Sequence, residues 1–192
     1  KKSVYFHEIN KLSPYFSKNI GDIFADRSIF INEPFKNIHN HIEACIVTRR
    51  GCIYNCAFCA AARSLNKDMS IRIASVDDVK REIKSILATN PEVQSIRVLD
   101  DLYLKDKSSI KQATDTFLSL PVSWRAMGHI GSIKLVSDID LRKLKESGCR
   151  ELFIGIEAGS SEVLKKIHKV HNIDNILFQV DRILQAKINI KA

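Results

Sequence analysis

Three cysteines lie within eight residues of one another, at Cys52, Cys56 and Cys59. From one short loop, three thiolates can converge on three corners of a [4Fe-4S] cubane, which normally takes four cysteine ligands. The next cysteine along the chain is Cys149, so no fourth thiolate follows nearby. The fourth iron would be open to a ligand from outside the protein, and an open position is typical of a catalytic metal site. The spacing therefore predicts a catalytic iron–sulfur cluster with these three cysteines as its ligands.

Structural zinc is the main competing interpretation of this loop. It needs a fourth ligand, for which Cys45, His39 and His41 are the candidates. Zinc sites usually pair their ligands in two separate knuckles, however, and only one cluster of cysteines is present. Cys45 also lies within an apolar run, where a small buried thiol is the default. An electron-carrying ferredoxin would show a fuller cysteine run, and chance clustering is the remaining alternative.

Composition limits the class of protein in which this site can lie. The 192 residues, 45% hydrophobic and 27% charged, are typical of one ordinary globular domain. No apolar stretch approaches the roughly 20 residues of a membrane span, and the first residues lack the apolar core of a signal peptide. Five cysteines, an odd number, indicate metal binding in a reducing compartment rather than a disulfide framework. These features predict a cytoplasmic protein without a membrane partner, and the missing initiator Met suggests a piece of a longer protein.

The net charge of +8 permits a phosphate-rich partner. Its lysines and arginines often stand beside acids, as in residues 77–82, which is typical of a solvated surface. A zinc-binding module that interacts with nucleic acid is therefore the alternative function from another class, and nucleic acid is not excluded as a partner.

Short apolar runs alternate with amphipathic helices along the chain. The predicted strands are residues 44–48, 96–99, 122–127, 152–156 and 188–190, the last of them where the chain stops. The predicted helices are capped or begun by Ser75, by Ser108 or Ser109, by Asp138 and by Ser160 or Ser161, and another covers residues 173–186. Strand, helix, strand at this spacing implies right-handed βαβ units on a parallel sheet, and so an α/β fold.

Polar clusters follow three of the predicted strands. The cysteine loop (residues 52–59) follows the first strand, Asp100 and Asp101 follow the second, and Glu157 follows the fourth. Parallel sheets place their chemistry at the carboxyl ends of the strands, so we expect the three clusters to form one site. We divide the chain into an extension or linker over residues 1–40 and a core domain over residues 41–192.

Three segments resemble motifs of the radical S-adenosylmethionine (radical SAM) superfamily. The cysteine loop, CIYNCAFC, resembles its signature, with an aromatic residue before the last cysteine. Residues 99–103, LDDLY, resemble the double-aspartate strand end of a large branch that includes cobalamin-dependent-type enzymes. Residues 154–160, IGIEAGS, are similar to the fourth-strand motif, with Ala158 where Ser is commoner. The resemblance runs from about residue 33 to the end and implies a partial (β/α)6 TIM-like barrel, here truncated at strand 5.

The resemblance also implies a reaction and a role for each matching residue. SAM would bind the open iron through its methionine amino and carboxylate groups. Reduction of the [4Fe-4S] cluster would cleave the carbon–sulfur bond of SAM, and the released 5′-deoxyadenosyl radical would abstract hydrogen from an unidentified substrate. Phe58 would lie near the adenine, Asp100 or Asp101 would accept hydrogen bonds from the methionine ammonium, and Glu157 would contact the ribose or the methionine. Arg125, on the third strand, would pair with the methionine carboxylate or else serve as a structural partner.

Partners beyond SAM follow from the same resemblance. The chemistry requires a reductant such as flavodoxin or ferredoxin. The double-aspartate branch frequently carries a cobalamin-binding domain upstream, and residues 26–34 resemble the linker that follows such a domain. This chain has no Asp-x-His-x-x-Gly segment for cobalamin, so the cofactor would be held by a domain preceding residue 1. Methylation, methylthiolation, rearrangement and dehydrogenation all stay open as reaction classes.

Overall fold

The chain folds around a parallel β-sheet, which the computed structural model describes over residues 36–67, 71–169 and 172–192. In chain order the strands are β1 (Glu43–Ile46), β2 (Arg49–Arg50), β3 (Arg72–Ile73), β4 (Ser95–Val98), β5 (Ser123–Gly128), β6 (Cys149–Ile154) and β7 (Asn189–Lys191). β1, β4, β5, β6 and β7 form the sheet in that spatial order, and every neighbouring pair is parallel. The predicted α/β fold with a parallel sheet is confirmed, and its strand order is that of a partial TIM-like barrel.

Helices connect the successive strands of the sheet. They are α1 (Val76–Thr89), α2 (Lys107–Phe117), α3 (Ile130–Ile133), α4 (Asp138–Glu146), α5 (Ser161–Lys166) and α6 (Ile173–Gln185). The predicted caps at Ser75 and Ser160 are confirmed, because their hydroxyls accept hydrogen bonds from Asp78 N and Val163 N. None of the helices in the described ranges is long and apolar enough to cross a membrane.

Two predicted helix starts are wrong by one to three residues. Asp106, and neither Ser108 nor Ser109, caps α2: its carboxylate accepts Ser109 N at 2.8 Å, and the Ser109 hydroxyl accepts Asp106 N at 2.9 Å. This reciprocal capping box satisfies two backbone donors at once, which a serine cap further along the chain would leave open. Ser137, with a capping box of its own, caps α4, so Asp138 is the first helical residue.

The core lies between the sheet and its helices, and Trp124 on β5 is at its centre. Trp124 is fully buried, stacks on Phe117 of α2 at a ring distance of 4.7 Å, and meets Tyr103 edge-on at 6.0 Å. Its indole N–H donates to the carbonyl of Ser147 at 3.0 Å, so the polar atom of this large side chain is satisfied. This layer fixes the direction of β5 and therefore where its carboxyl end lies.

The opposite face of the sheet, which we call the open face, is only partly covered, and Cys45 lies in an uncovered part. Ile46 points into the core and is 1% exposed, whereas Cys45, one residue earlier, points to the open face and is exposed. The prediction of a buried Cys45 is therefore wrong, because successive residues of a strand face opposite sides. Cys149, at the start of β6, is fully buried as expected.

The proposed boundary between residues 40 and 41 stays a prediction. Residues 1–35 lie outside the described ranges, and so does the linker resemblance of residues 26–34. Lys36 pairs with Ile42 across a turn in a short antiparallel bridge that leads into β1.

Candidate functional site

The cysteine loop begins two residues beyond β2, at the carboxyl end of the sheet. β2 pairs with β3 in a short antiparallel ribbon, which brackets the loop on both sides. Within the loop, Cys59 N donates to Cys56 O at 3.1 Å. Ala57 N donates to Ile167 O at 3.0 Å, so the loop is also tied to the segment that follows α5. These backbone hydrogen bonds give the loop a fixed path before any metal is considered.

The three thiols of the loop share one environment. Cys52, Cys56 and Cys59 are reduced and half-buried. Burial raises the pKa of the Cys52 thiol, and the neighbouring Cys59 and Cys56 raise it further. The thiols therefore lie within electrostatic range of each other, and burial together with their mutual repulsion favours a cationic metal group that would stabilise the thiolates.

Three thiols on one short loop are the donor type of an iron–sulfur cluster. Among the residues that the structure describes, no three His, Cys, Asp or Glu side chains converge as ligands of one metal ion. Three reduced thiols on one loop fit a [4Fe-4S] cluster with one iron left to a ligand from outside the chain.

The two histidines proposed as zinc ligands do not lie near the cysteine loop. His41 Nδ1 lies 3.3 Å from Ser123 Oγ, and Ser123 is the first residue of β5. His39 belongs to the turn that precedes β1. Both histidines are thus at the amino ends of the strands, the edge of the sheet opposite to the cysteine loop.

The two adjacent aspartates after β4 do different things. Asp100 is 2% exposed and accepts hydrogen bonds from Thr48 N and Thr48 Oγ1, both at 2.7 Å, and from Arg49 N at 2.9 Å. Burial raises the pKa of Asp100 above its usual range, and the hydrogen bonds from Thr48 and Arg49 offset this only in part. Both oxygens of Asp100 are therefore used to hold the segment that leads into the cysteine loop.

Asp101, in contrast, is exposed at the base of the cysteine loop. One oxygen, Oδ2, accepts Gly51 N at 2.8 Å. Gly51 has a φ of 94°, a left-handed conformation that glycine adopts without strain. The other oxygen of Asp101 makes no hydrogen bond to the described residues. Of the two candidates for an ammonium ligand, only Asp101 has an oxygen to offer.

A small cavity of about 140 Å³ opens beside Asp101 and Cys52. It is lined by Arg50, Gly51, Cys52, Ala61, Arg63, Asn66, Ile71, Arg72 and Asp101. The arginines make its wall mostly positive, and Asp101 supplies its negative charge. This charge pattern is suited to a ligand that carries both signs.

Glu157, after β6, is held over the backbone by a lysine. Its Oε1 lies 3.2 Å from Lys169 Nζ, and Lys169 Nζ donates to Gly155 O at 2.9 Å. Lys169 is 7% exposed, whereas the Glu157 side chain is 32% exposed and so remains accessible. Glu157 has a φ of 66°, the left-handed region that disfavours residues with a side chain. The sequence resemblance continues over residues 164–169 but assigns no role to Lys169, because a lysine after a short helix looks like any surface lysine.

The ion pair between Glu157 and Lys169 requires a residue without a side chain at position 155. A Cβ at Gly155 would overlap Glu157 Oε1 and lie 2.8 Å from Lys169 Nζ. Gly159, four residues on, has open space where its Cβ would be. The first glycine of the motif thus makes room for the Glu157–Lys169 pair, and the second does not serve packing.

Phe58 and Tyr54 are the aromatic residues of the cysteine loop. The Phe58 ring is 56% exposed, and its place beside an adenine stays a prediction. Tyr54 stacks on His129 at a ring distance of 3.7 Å, and His129 caps α3 just beyond β5. The stack joins the loop to the carboxyl end of β5, a contact that the sequence alone did not indicate.

Arg125 lies away from the carboxyl edge and has a structural partnership. Its Nη2 and Nε donate to the two carboxylate oxygens of Glu43 at 2.6 and 2.8 Å, and its Nη1 donates to Glu151 at 3.0 Å. All three side chains are buried. The expectation that Arg125 pairs with a methionine carboxylate is corrected in favour of its alternative, because carboxylates of the chain itself take both sides of the guanidinium.

Comparison with known proteins gives the family. Residues 46–191 match the sequence pattern described as the Radical SAM superfamily. An uncharacterized methyltransferase of Pyrococcus horikoshii is 32% identical over 129 residues, which are 65% of this chain and 26% of that protein. The chain thus spans about a quarter of the length of this curated relative.

Solved structures share the fold at low sequence identity. The cobalamin-dependent S-adenosylmethionine radical enzyme OxsB, with aqua-cobalamin bound, superposes with a TM-score of 0.66 at 19% identity, over 77% of this chain and 23% of that one. The radical S-adenosylmethionine methyltransferase TsrM from Kitasatospora setae gives 0.60 at 14% identity, over 77% of this chain and 29% of that one. The agreement of sequence pattern, strand order and cysteine loop leads to one assignment: the chain belongs to the radical SAM superfamily.

Proposed function

We propose that this chain is the cluster-binding part of an enzyme that cleaves SAM reductively and abstracts hydrogen from a substrate. The observation that carries the proposal is the loop of three reduced, half-buried thiols hydrogen-bonded at its base to Asp101. A [4Fe-4S] cluster bound by Cys52, Cys56 and Cys59 would supply one electron to SAM, whose carbon–sulfur bond breaks to give methionine and a 5′-deoxyadenosyl radical.

Asp101 is the residue that we propose to bind the methionine ammonium. It lies close enough to Cys52 to raise the pKa of that thiol slightly, after the larger effects of burial and the other thiols. Gly51 N fixes one oxygen and leaves the other for a cation. A charge-assisted hydrogen bond there would orient SAM. Asp100 is a positioning residue, since it acts through Thr48 and Arg49.

Glu157 is the residue that we propose to contact the ribose or the methionine of SAM. A carboxylate accepts hydrogen bonds from ribose hydroxyls as well as from an ammonium. Lys169 holds this carboxylate over Gly155 and neutralises its charge, so Lys169 is a second positioning residue.

The proposed function is tested by anaerobic reconstitution with iron and sulfide. We expect about four irons per chain and a broad visible absorbance. After reduction by dithionite, SAM should yield 5′-deoxyadenosine and methionine, measured by liquid chromatography and mass spectrometry. One bound zinc without a visible chromophore would instead support the zinc-binding module. A cluster-loaded protein that forms neither product, even with candidate substrates, would show the proposal to be wrong.

Replacing Gly155 with Ala should weaken SAM binding while the fold is kept. The added Cβ displaces the ends of two flexible side chains, Glu157 and Lys169, which costs the fold little. We expect the unfolding temperature to change by only a few degrees, and the Kd for SAM, measured on the cluster-loaded protein, to rise about tenfold.

Gly159→Ala is the matched control, because its Cβ meets open space. It should bind SAM as the wild type does. If Gly155→Ala keeps full affinity although the Glu157 carboxylate is displaced, Glu157 has no contact with SAM.

Methyl transfer is the reaction class that we propose, with cobalamin held by a domain upstream of residue 1. The relative from Pyrococcus horikoshii is named a methyltransferase, and OxsB is described as cobalamin-dependent. The double-aspartate segment supports the same branch of the family. The electron would come from a cytoplasmic reductant such as flavodoxin or ferredoxin. A full-length sequence without a cobalamin-binding domain would exclude the cobalamin part.

A further inference from the structure

An aromatic ring on the open face of the sheet is surrounded by cations. The guanidinium carbon of Arg97 lies 5.1 Å from the centre of the Phe153 ring, that of Arg125 lies 5.3 Å away, and Lys191 Nζ lies 5.4 Å away. The sheet register causes this meeting, because Arg97 pairs with Arg125, and Phe153 pairs with Lys191. Four neighbouring strands thus present one ring and three positive charges on the same face.

Among the residues that the structure describes, anionic partners are found for only one of these three cations. Arg125 is paired with two carboxylates, Glu43 and Glu151, so these three groups together carry a net charge of −1. Arg97 and Lys191 make no hydrogen bond or ion pair within the described ranges, and each lies over the Phe153 ring. The cluster therefore combines three cations with two carboxylates, which gives a net charge of +1, and Arg97 and Lys191 are the two cations that remain open to a ligand.

The surroundings of Arg97 and Lys191 favour an anion. Arg97 and Phe153 are half-buried, so water screens a charge beside them less than it does at the surface. A guanidinium binds carboxylate or phosphate in a bidentate way, and an ammonium adds a second charge-assisted hydrogen bond. The ring offers an apolar surface for the carbon atoms of the same ligand.

The distance along the strands separates this surface from the proposed SAM site. Arg97 precedes Asp101 by four residues, and Phe153 precedes Glu157 by four. Arg97 and Phe153 lie within β4 and β6, whereas Asp101 and Glu157 lie beyond the carboxyl ends of these strands, so the ring and its cations are nearer the amino ends. This position is inside the open face of the barrel, where a substrate would extend away from SAM.

We propose that Arg97 and Lys191 bind a carboxylate or phosphate group of the substrate, whose carbon skeleton lies against Phe153. The proposal rests on the proposed function for the identity of the reaction. The anionic group then serves as an anchor that points the rest of the substrate towards the carboxyl edge of the sheet.

The binding test uses the apo chain with inorganic phosphate and glutarate as probes. Each is titrated at constant ionic strength, and the ring signals of 13C-labelled phenylalanine report binding. We expect saturable shifts of the Phe153 ring in the wild type. In the double variant R97Q/K191Q, the Kd for the better probe should rise at least about tenfold. The control is K84Q on the outer helix α1, which removes an exposed lysine far from the ring.

Three results would overturn the proposal. The first is that neither probe shifts the ring signals of Phe153. The second is that the double variant binds the probes as the wild type does. The third is that K84Q weakens binding as much as the double variant does. The cluster-loaded protein shows whether these cations bind a carboxylate of the substrate or the methionine carboxylate of SAM. If they bind the substrate, the affinity for SAM should be unchanged in R97Q/K191Q. An equal loss of SAM affinity would assign these cations to the methionine carboxylate and not to the substrate.

The two proposals fail in different ways. If the wild type cleaves SAM but binds neither probe, the anion site is wrong and the reaction stands. If the probes bind through Arg97 and Lys191 but SAM is never cleaved, the site stands and the proposed function is wrong.

Discussion

Replacing Cys56 with Ala is expected to abolish cluster binding. Cys56 supplies the middle thiol of the loop, and two remaining thiolates rarely hold a cubane whose fourth iron has no protein ligand. After anaerobic reconstitution, the variant should retain well under one iron per chain, against about four in the wild type. Iron and sulfide analysis and the visible absorbance measure the loss, and 5′-deoxyadenosine formation should vanish with it.

The matched control is Cys45→Ala. Cys45 is also reduced, but it is exposed and lies on β1, outside the loop. It should reconstitute to the same iron content as the wild type. A Cys56→Ala protein with a full cluster, or a Cys45→Ala protein without one, would contradict the assignment of the ligands.

Replacing Arg125 with Met should produce the largest loss of stability among the substitutions considered. It leaves Glu43 and Glu151 buried without their shared cation. Removal of one partner from a buried ion pair costs about 3–5 kcal/mol in the free energy of unfolding. Unfolding by denaturant measures this loss in the free energy of unfolding. The triple variant Glu43→Gln/Arg125→Met/Glu151→Gln removes the buried charges together and should recover much of the loss.

The dependence on pH separates this electrostatic cost from a packing defect. Burial alone would raise the pKa of Glu43, but hydrogen bonds from Arg125 and Asn37 and the charge of Arg125 hold it below its ordinary value of 4.5. In the wild type this group therefore contributes stability above pH 4.5, which is lost as the pH falls through the lowered pKa. Without Arg125, burial dominates and protonation of Glu43 becomes favourable. The difference between Arg125→Met and wild type should narrow on acidification; a constant difference would indicate packing alone.

The sheet and the location of the site could be predicted because they depend on local patterns. Apolar runs, caps and breakers set the strands and most of the helices. The polar residues that follow a parallel strand must lie at one edge, which brings the cysteine loop close to Asp100 and Asp101. The wrong start predicted for α2 also has a local cause. Asp106 and Ser109 are both good helix caps, and their reciprocal hydrogen bonds decide which one is used.

The roles of individual charged residues could not be predicted, because they depend on tertiary neighbours. Asp100 and Asp101 are the same residue type in adjacent positions, yet one side chain points into the structure and the other out of it. The partners of Arg125 come from β1 and β6, which are distant in sequence. Lys169 has no distinguishing pattern of its own and becomes important only through Glu157 and Gly155.

The hydrogen bond from Ala57 to Ile167 has a consequence for biosynthesis. The donor and the acceptor are more than a hundred residues apart in a chain that is synthesised from its amino end. The cysteines therefore leave the ribosome long before the residue that completes their loop, and they are reactive thiols during that interval. If the loop binds the proposed cluster, iron and sulfide would enter the native loop only after Ile167 has been made, and reducing conditions would have to protect the cysteines until then.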